Sequence, residues 1–221
     1  VYKSQGNYVK ALEMYQQSLK IYLVIFGDSH PAVATCYNNI GLVYSSQGDY
    51  AKALEMYQQS LKIYLATFGD SHPNVATCYN NMGFVYDSQG DYVKALEMYR
   101  QSLKIYLATF GEPHPDVAMS YNNIGRVYFS QGDYVKAFEM YRQSLKIYLA
   151  TFGEIHPAVA TSYNNIGGVY YSQGDYVQAL EMYQRSSKIR LAIFGENHPD
   201  VAWSYNNIGG VYYSQGDYVQ A

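Results

Sequence analysis

The sequence predicts an all-α solenoid, in which antiparallel helix pairs stack in line and no single central core is needed. Three observations carry this. The histidines stand at 30, 72, 114, 156 and 198, always 42 residues apart. The glycines of Gln-Gly keep the same interval at 48, 90, 132, 174 and 216, with Gly6 one period earlier. Between these markers the apolar residues are spaced by threes and fours, which is helical periodicity and not the alternation of a strand.

Residues 30–69 serve as the model unit. His30-Pro31 opens a first helix of about 15 residues, with Pro31 where its missing N–H costs nothing. Val33, Tyr37, Ile40 and Tyr44 form its apolar stripe. Ser46-Gln47-Gly48 ends it, with Gly48 as the left-handed exit residue. Asp49 caps a second helix of about 19 residues. Its stripe is Tyr50, Leu54, Tyr57, Leu61, Tyr64 and Phe68, with Ala53 beside it to permit close approach. Gly69 closes this helix, and Asp70-Ser71 leads to the next His72-Pro73.

A single apolar stripe cannot hold a helix in water, so each helix needs a neighbour. Gly41, Gly83, Gly125, Gly167 and Gly209 fall in the middle of the first helices. Glycine there costs roughly 0.5–1 kcal/mol relative to alanine. A close helix–helix crossing is the expected compensation. The complete pairs are placed at about 31–68, 73–110, 115–152 and 157–194. A second-type helix at 7–25 precedes them, a first-type helix at 199–214 follows, and 217–221 begins its mate. The chain reads as one array: partial repeat 1–29, repeats 30–71, 72–113, 114–155 and 156–197, and partial repeat 198–221.

Composition narrows the function. Lys and Arg number 15 against 18 Asp and Glu, for a formal net charge of -3. This leaves no basic footprint for nucleic acid and no polybasic membrane patch. No stretch reads as a membrane span or signal peptide. The 28 tyrosines mostly occupy repeating helical positions and read first as packing residues. Cys36 and Cys78 are repeat equivalents, replaced later by Ser120, Ser162 and Ser204. Equivalent points on successive pairs lie about 10 Å apart, too far for a disulfide. Free thiols and a reducing, cytoplasmic setting are expected.

The series Tyr37…Ile40-Gly41…Tyr44…Gly48…Ala53…Tyr57 resembles the tetratricopeptide signature, with a unit of 42 rather than about 34 residues. Asn-Asn-Ile-Gly, Gln-Gly-Asp-Tyr and Phe-Gly-x-x-His-Pro-x-Val-Ala are similar to the kinesin light chain type of repeat. The resemblance covers essentially the whole chain. It implies a right-handed superhelix whose first helices line a concave, protein-binding surface.

On each first helix the side opposite the stripe contains positions 35, 38, 39, 42, 45 and 46. Two kinds of residue stand there. One is constant: the pairs Asn38-Asn39, Asn80-Asn81, Asn122-Asn123, Asn164-Asn165 and Asn206-Asn207. Asparagine is a poor mid-helix residue, because its amide competes for backbone hydrogen bonds. The functional reading is that these amides hold the backbone of an extended peptide, and the resemblance supports it for the second of each pair: Asn39, Asn81, Asn123, Asn165 and Asn207. The other reading is that one amide of each pair bonds a neighbouring helix, which is favoured for Asn38, Asn80, Asn122 and Asn164.

The other kind varies. Position 42 becomes Phe84, Arg126, Gly168 and Gly210. Position 45 becomes Asp87, Phe129, Tyr171 and Tyr213. Position 35 becomes Thr77, Met119, Thr161 and Trp203. Stacking does not dictate these residues, so they are where a ligand preference would be encoded, with neutral drift as the alternative. Aromatic and Arg residues are frequent interface anchors. For Trp203, covering an end surface is a second reading. One arginine at these positions is too few to clamp two carboxylates. An extended segment with aromatic or aliphatic anchors fits better.

Catalysis is not expected. The histidines precede prolines at helix entrances, with no metal-ligand spacing around them. No Ser or Cys has a His–carboxylate pair brought to it, and the Gly-Asp motifs form no phosphate loop. No cofactor is called for. The leading expectation is a non-enzymatic scaffold that binds an extended peptide. The alternatives are head-to-tail self-association and a regulatory repeat region of a larger signalling protein.

Overall fold

The helix boundaries follow from residues that recur in every unit. The computed structural model describes residues 7–216, and ten helices lie among them. They are α1 (Tyr8–Phe26), α2 (Pro31–Ser46), α3 (Tyr50–Phe68), α4 (Pro73–Ser88), α5 (Tyr92–Phe110), α6 (Pro115–Ser130), α7 (Tyr134–Phe152), α8 (Pro157–Ser172), α9 (Tyr176–Phe194) and α10 (Pro199–Gln215). The mate expected to begin at 217–221 lies outside the described residues, as do residues 1–6.

Each first-type helix starts at His-Pro for two reasons. Proline stands at the first helical position, and the histidine is the N-cap. Nδ1 of His72 accepts the Asn74 N–H at 3.1 Å. The imidazole also stacks on the phenylalanine four residues earlier, with centroids 4.2 Å apart for Phe68–His72 and 4.0 Å for Phe152–His156. Each exit glycine is left-handed, as at Gly48 (φ 80°). The aspartate that follows caps the next helix. Asp49 Oδ1 accepts the Lys52 N–H at 3.3 Å, and its other oxygen takes the Lys52 ammonium at 2.7 Å.

Two compact units divide the chain, Val1–Phe110 and Gly111–Ala221. In the first, α2 pairs with α3 and α4 with α5, while α1 packs on α2 and α3 on α4. In the second, α6 pairs with α7 and α8 with α9, while α7 packs on α8 and α9 on α10.

The buried sector is wider than a single stripe. On α2 the buried residues are Val33, Ala34, Cys36, Ile40, Gly41, Val43 and Ser45. Tyr37 and Tyr44, expected at the centre, are only half-buried. α2 lies between α1 and α3, so small residues occupy its middle and its tyrosine rings lie at the margins. On α3 the centre is likewise Ala53, Tyr57, Ser60, Ile63 and Tyr64, with Phe68 at the rim. Val33, Val75, Val117, Val159 and Val201 are fully enclosed, each stabilising by about 1.5–3 kcal/mol.

The mid-helix glycines do mark close crossings. A Cβ on Gly41 would stand 2.7 Å from the Tyr57 ring, and one on Gly83, Gly125 or Gly167 2.8 Å from Tyr99, Tyr141 or Tyr183. Both cysteines are buried and free. Cys78 Sγ reaches Ser60 Oγ on α3 at 3.4 Å. Where serine replaces cysteine at 162, the shorter side chain bonds its own helix at Ala158 O instead, and Ser144 Oγ has no partner.

Candidate functional site

The asparagine pairs form bonds between repeats, in a register of 43 residues. Nδ2 of Asn81 on α4 donates to Asn38 Oδ1 on α2 at 2.9 Å. In the second unit, Asn165 on α8 donates to Asn122 on α6 at 2.8 Å, and Asn207 on α10 to Asn164 on α8 at 2.8 Å. The second amide of one repeat thus donates to the first amide of the repeat before it. These bonds set the spacing of first-type helices directly, without the second-type helix between them. Asn164 is buried, and Asn39, Asn80, Asn81, Asn122, Asn123, Asn165 and Asn207 are half-buried.

The variable residues flank this row of amides. In the first unit Phe84 is exposed on α4. At position 45 of that unit Ser45 is buried, with its hydroxyl bonded to Tyr57, so the position faces inward there. In the second unit α6 carries Met119, Arg126 and Phe129, all half-buried. α8 adds the exposed Tyr171, and α10 adds Trp203 and Tyr213, also exposed. Tyr171 is tied to α10 by its hydroxyl, 2.8 Å from Ser214 Oγ. Phe129 and Tyr171 each pack on the first residue of the following helix, Tyr134 and Tyr176. A Cβ on Gly168 would rest in ordinary contact with the Tyr183 hydroxyl at 3.7 Å and the Phe129 ring at 4.0 Å, and one on Gly210 would meet nothing within 4 Å. The second unit thus carries amides, ring side chains and glycines at these positions, with Arg126 as the cation among the variable ones.

Some surface hollows have other linings. One of about 340 Å³ is lined by Glu154, Ile155, Tyr163, Arg185 and Ile189, away from the amide row. Its arginine is already engaged by Glu181 at 2.7 Å and by the Tyr163 ring. Among the described residues there is no group of three His, Cys, Asp or Glu placed to hold a metal. None of the helices is long and apolar enough to cross a membrane.

Sequence reading did not single out Arg190. The series Tyr22, Tyr64, Tyr106, Tyr148 breaks to arginine there, and that break was the available signal. Arg190 is buried in α9, with its guanidinium 4.7 Å from the Trp203 ring. Burial lowers its pKa from the ordinary arginine value, and the charge of Asp200 opposes that shift.

Helix pairs, left-handed glycine exits and a packed small-residue crossing define a helical-repeat protein of the interaction-scaffold class. The tetratricopeptide repeat model matches residues 1–66, 47–108, 103–150 and 156–221, and the chain belongs to that family. Such repeats generally mediate protein–protein contacts and are generally non-enzymatic. Among solved structures the chain is similar to BtubC (BKLC) from P. vanneervenii, at 25% identity and a TM-score of 0.82, over 97% of this chain and 86% of that one. It is also similar to the nearly identical TPR-like repeats of a candidate kinesin light chain from Podosopora anserina. There the identity is 22% and the TM-score 0.71, over 88% of this chain and 92% of that one. Its Q17M variant gives 22% and 0.72, over 87% and 91%. Among curated proteins nothing matches the chain.

Proposed function

We propose that the chain is a non-enzymatic recognition module, and that the amide face of its second unit holds an extended segment of another protein. One observation carries this reading. In a chain whose units are nearly identical, Met119, Arg126, Phe129, Tyr171, Trp203 and Tyr213 depart from the repeat, and they lie on α6, α8 and α10, the helices that the Asn122–Asn165 and Asn164–Asn207 bonds join. The amides supply a rigid polar floor, and their remaining lone pairs and N–H groups suit peptide backbone without regard to its sequence. The rings and glycine gaps select side chains. The buried thiols suit a reducing setting such as the cytoplasm.

The test is selection from a library of extended peptides, followed by Phe129→Ala/Tyr171→Ala. These rings are not enclosed, so helicity should stay unchanged while selected peptides lose affinity at least tenfold. Unchanged affinity in that variant removes the face from consideration.

A further inference from the structure

We propose that the turn between α8 and α9 is a binding site for a primary ammonium group on an alkyl stem, such as the side chain of a partner's lysine. Asp175 takes the charge, and the Tyr170 ring lies under it. The site is independent of the amide face, to which neither residue belongs. Its model is a cluster that the chain builds in its other pairs. Lys52 Nζ lies 2.7 Å from Asp49 Oδ2 and 5.3 Å from the centre of the Tyr44 ring. Lys94 holds the same place between Asp91 and Tyr86, at 2.8 and 5.3 Å. Lys136 holds it between Asp133 and Tyr128, at 2.7 and 5.3 Å. In the pair α8–α9 the tyrosine and the aspartate remain, as Tyr170 and Asp175, but the lysine is replaced by Gln178.

The receiving groups keep their arrangement. Asp175 caps α9 at φ -82° and ψ 74°, as Asp133 caps α7 at φ -81° and ψ 72°. Its Oδ1 accepts the Gln178 N–H at 3.2 Å, as Asp133 Oδ1 accepts the Lys136 N–H at 3.1 Å. That leaves Oδ2, the oxygen that takes the lysine in the other pairs. Among the described residues no Lys or Arg forms an ion pair with Asp175, and the next cation along α9, Arg185, is held by Glu181. Asp175 is exposed, where Asp49, Asp91 and Asp133 are half-buried. The Tyr170 ring is steadied by Phe138 of α7, which meets it edge-on with centroids 5.5 Å apart. Phe138 is itself a departure, since the other second-type helices carry leucine there. The openness of this place does not depend on where the helices end. Lys136 is followed by the whole of α8 and α9, and it is still 57% exposed. A carboxylate and a ring face each attract a cation modestly at an exposed site, and here both converge on one point.

Isotope labelling at glycine alone keeps the amide spectrum readable, with 18 glycines in the chain. Gly174, beside Asp175, is the exit glycine whose signal moves most in Gln178→Lys. Gly48, Gly90 and Gly132 stand at the equivalent turns and serve as internal controls. The full chain is titrated with a capped Gly-Lys-Gly peptide, the same peptide carrying norleucine, and n-butylamine. The lysine peptide should move Gly174 saturably and leave the three controls in place. It should bind about three- to thirtyfold more tightly than the norleucine peptide. Asp175→Asn keeps the cap, because Asn7 caps α1 in the same way, and Gln178→Lys restores the residue of the other pairs. Each variant should lose the Gly174 response with its circular dichroism unchanged. Butylamine as tight as the peptide supports the site and assigns it to free amines, whereas a tighter peptide supports it as a site for a protein's lysine. Equal movement of all four glycines, equal binding of the norleucine peptide, or a response that survives both variants overturns the site and leaves the amide-face reading untouched.

Discussion

Tyr99 lies flat on Gly83, leaving no room for even one methyl group. Gly83→Val should destabilise the chain by about 1–3 kcal/mol through overpacking, read from a denaturant midpoint. Gly210→Ala is the control. Its Cβ meets open space, so it should stabilise by roughly 0.5–1 kcal/mol through helix propensity alone. A second residue-scale consequence concerns alkali. Burial pushes the Cys78 thiol up to about 11 from 9.0, and Tyr148 and Tyr183 up to about 12 from 10.0, with Tyr57 higher still. The folded chain holds these protons more tightly than the unfolded chain. Their contribution is therefore complete below about pH 9 and is lost as pH rises through about 11 to 12. The urea midpoint should stay flat to about pH 9 and then fall. A midpoint unchanged at pH 11 contradicts the burial of these groups.

At the scale of the element, the boundaries were legible because they rest on local chemistry. His-Pro, Gln-Gly-Asp and Phe-Gly each act within a few residues of themselves, and the helices begin and end where they stand. The N-cap role of histidine was not specified in advance, although the Phe-x-x-x-His spacing was there to suggest the stack. What sequence could not supply was the centre of each buried face. Periodicity marks large apolar residues, so it chose Tyr37 and Tyr44, while packing against helices on two sides placed Ala34 and Val43 at the centre. The inter-repeat amide bonds were legible only as two open readings. Their register of 43 rather than 42 is what joins the second asparagine of one repeat to the first of its predecessor. Asn122→Ala, Asn165→Ala and the double variant form a cycle for this bond. Each single change should cost about 1 kcal/mol, and the double change should cost less than their sum. Strict additivity would mean that the bond contributes nothing to the stack.

For the whole molecule, near-identical units have a consequence for function. Most positions that packing fixes keep one residue in every copy, so information about a partner is to be sought where exposed positions differ. Those differences were visible in the sequence, and in the second unit they are half-buried or exposed. The Arg190–Trp203 contact was not visible, because it joins residues on different helices that break two separate series. The measurement that tests the recognition reading most directly is binding of library-selected peptides to the full chain and to Arg126→Ala/Phe129→Ala/Tyr171→Ala. The account predicts saturable binding by the parent and at least a tenfold loss in the variant, with unchanged helicity. Equal affinity for both, or a library from which nothing is enriched, would contradict it.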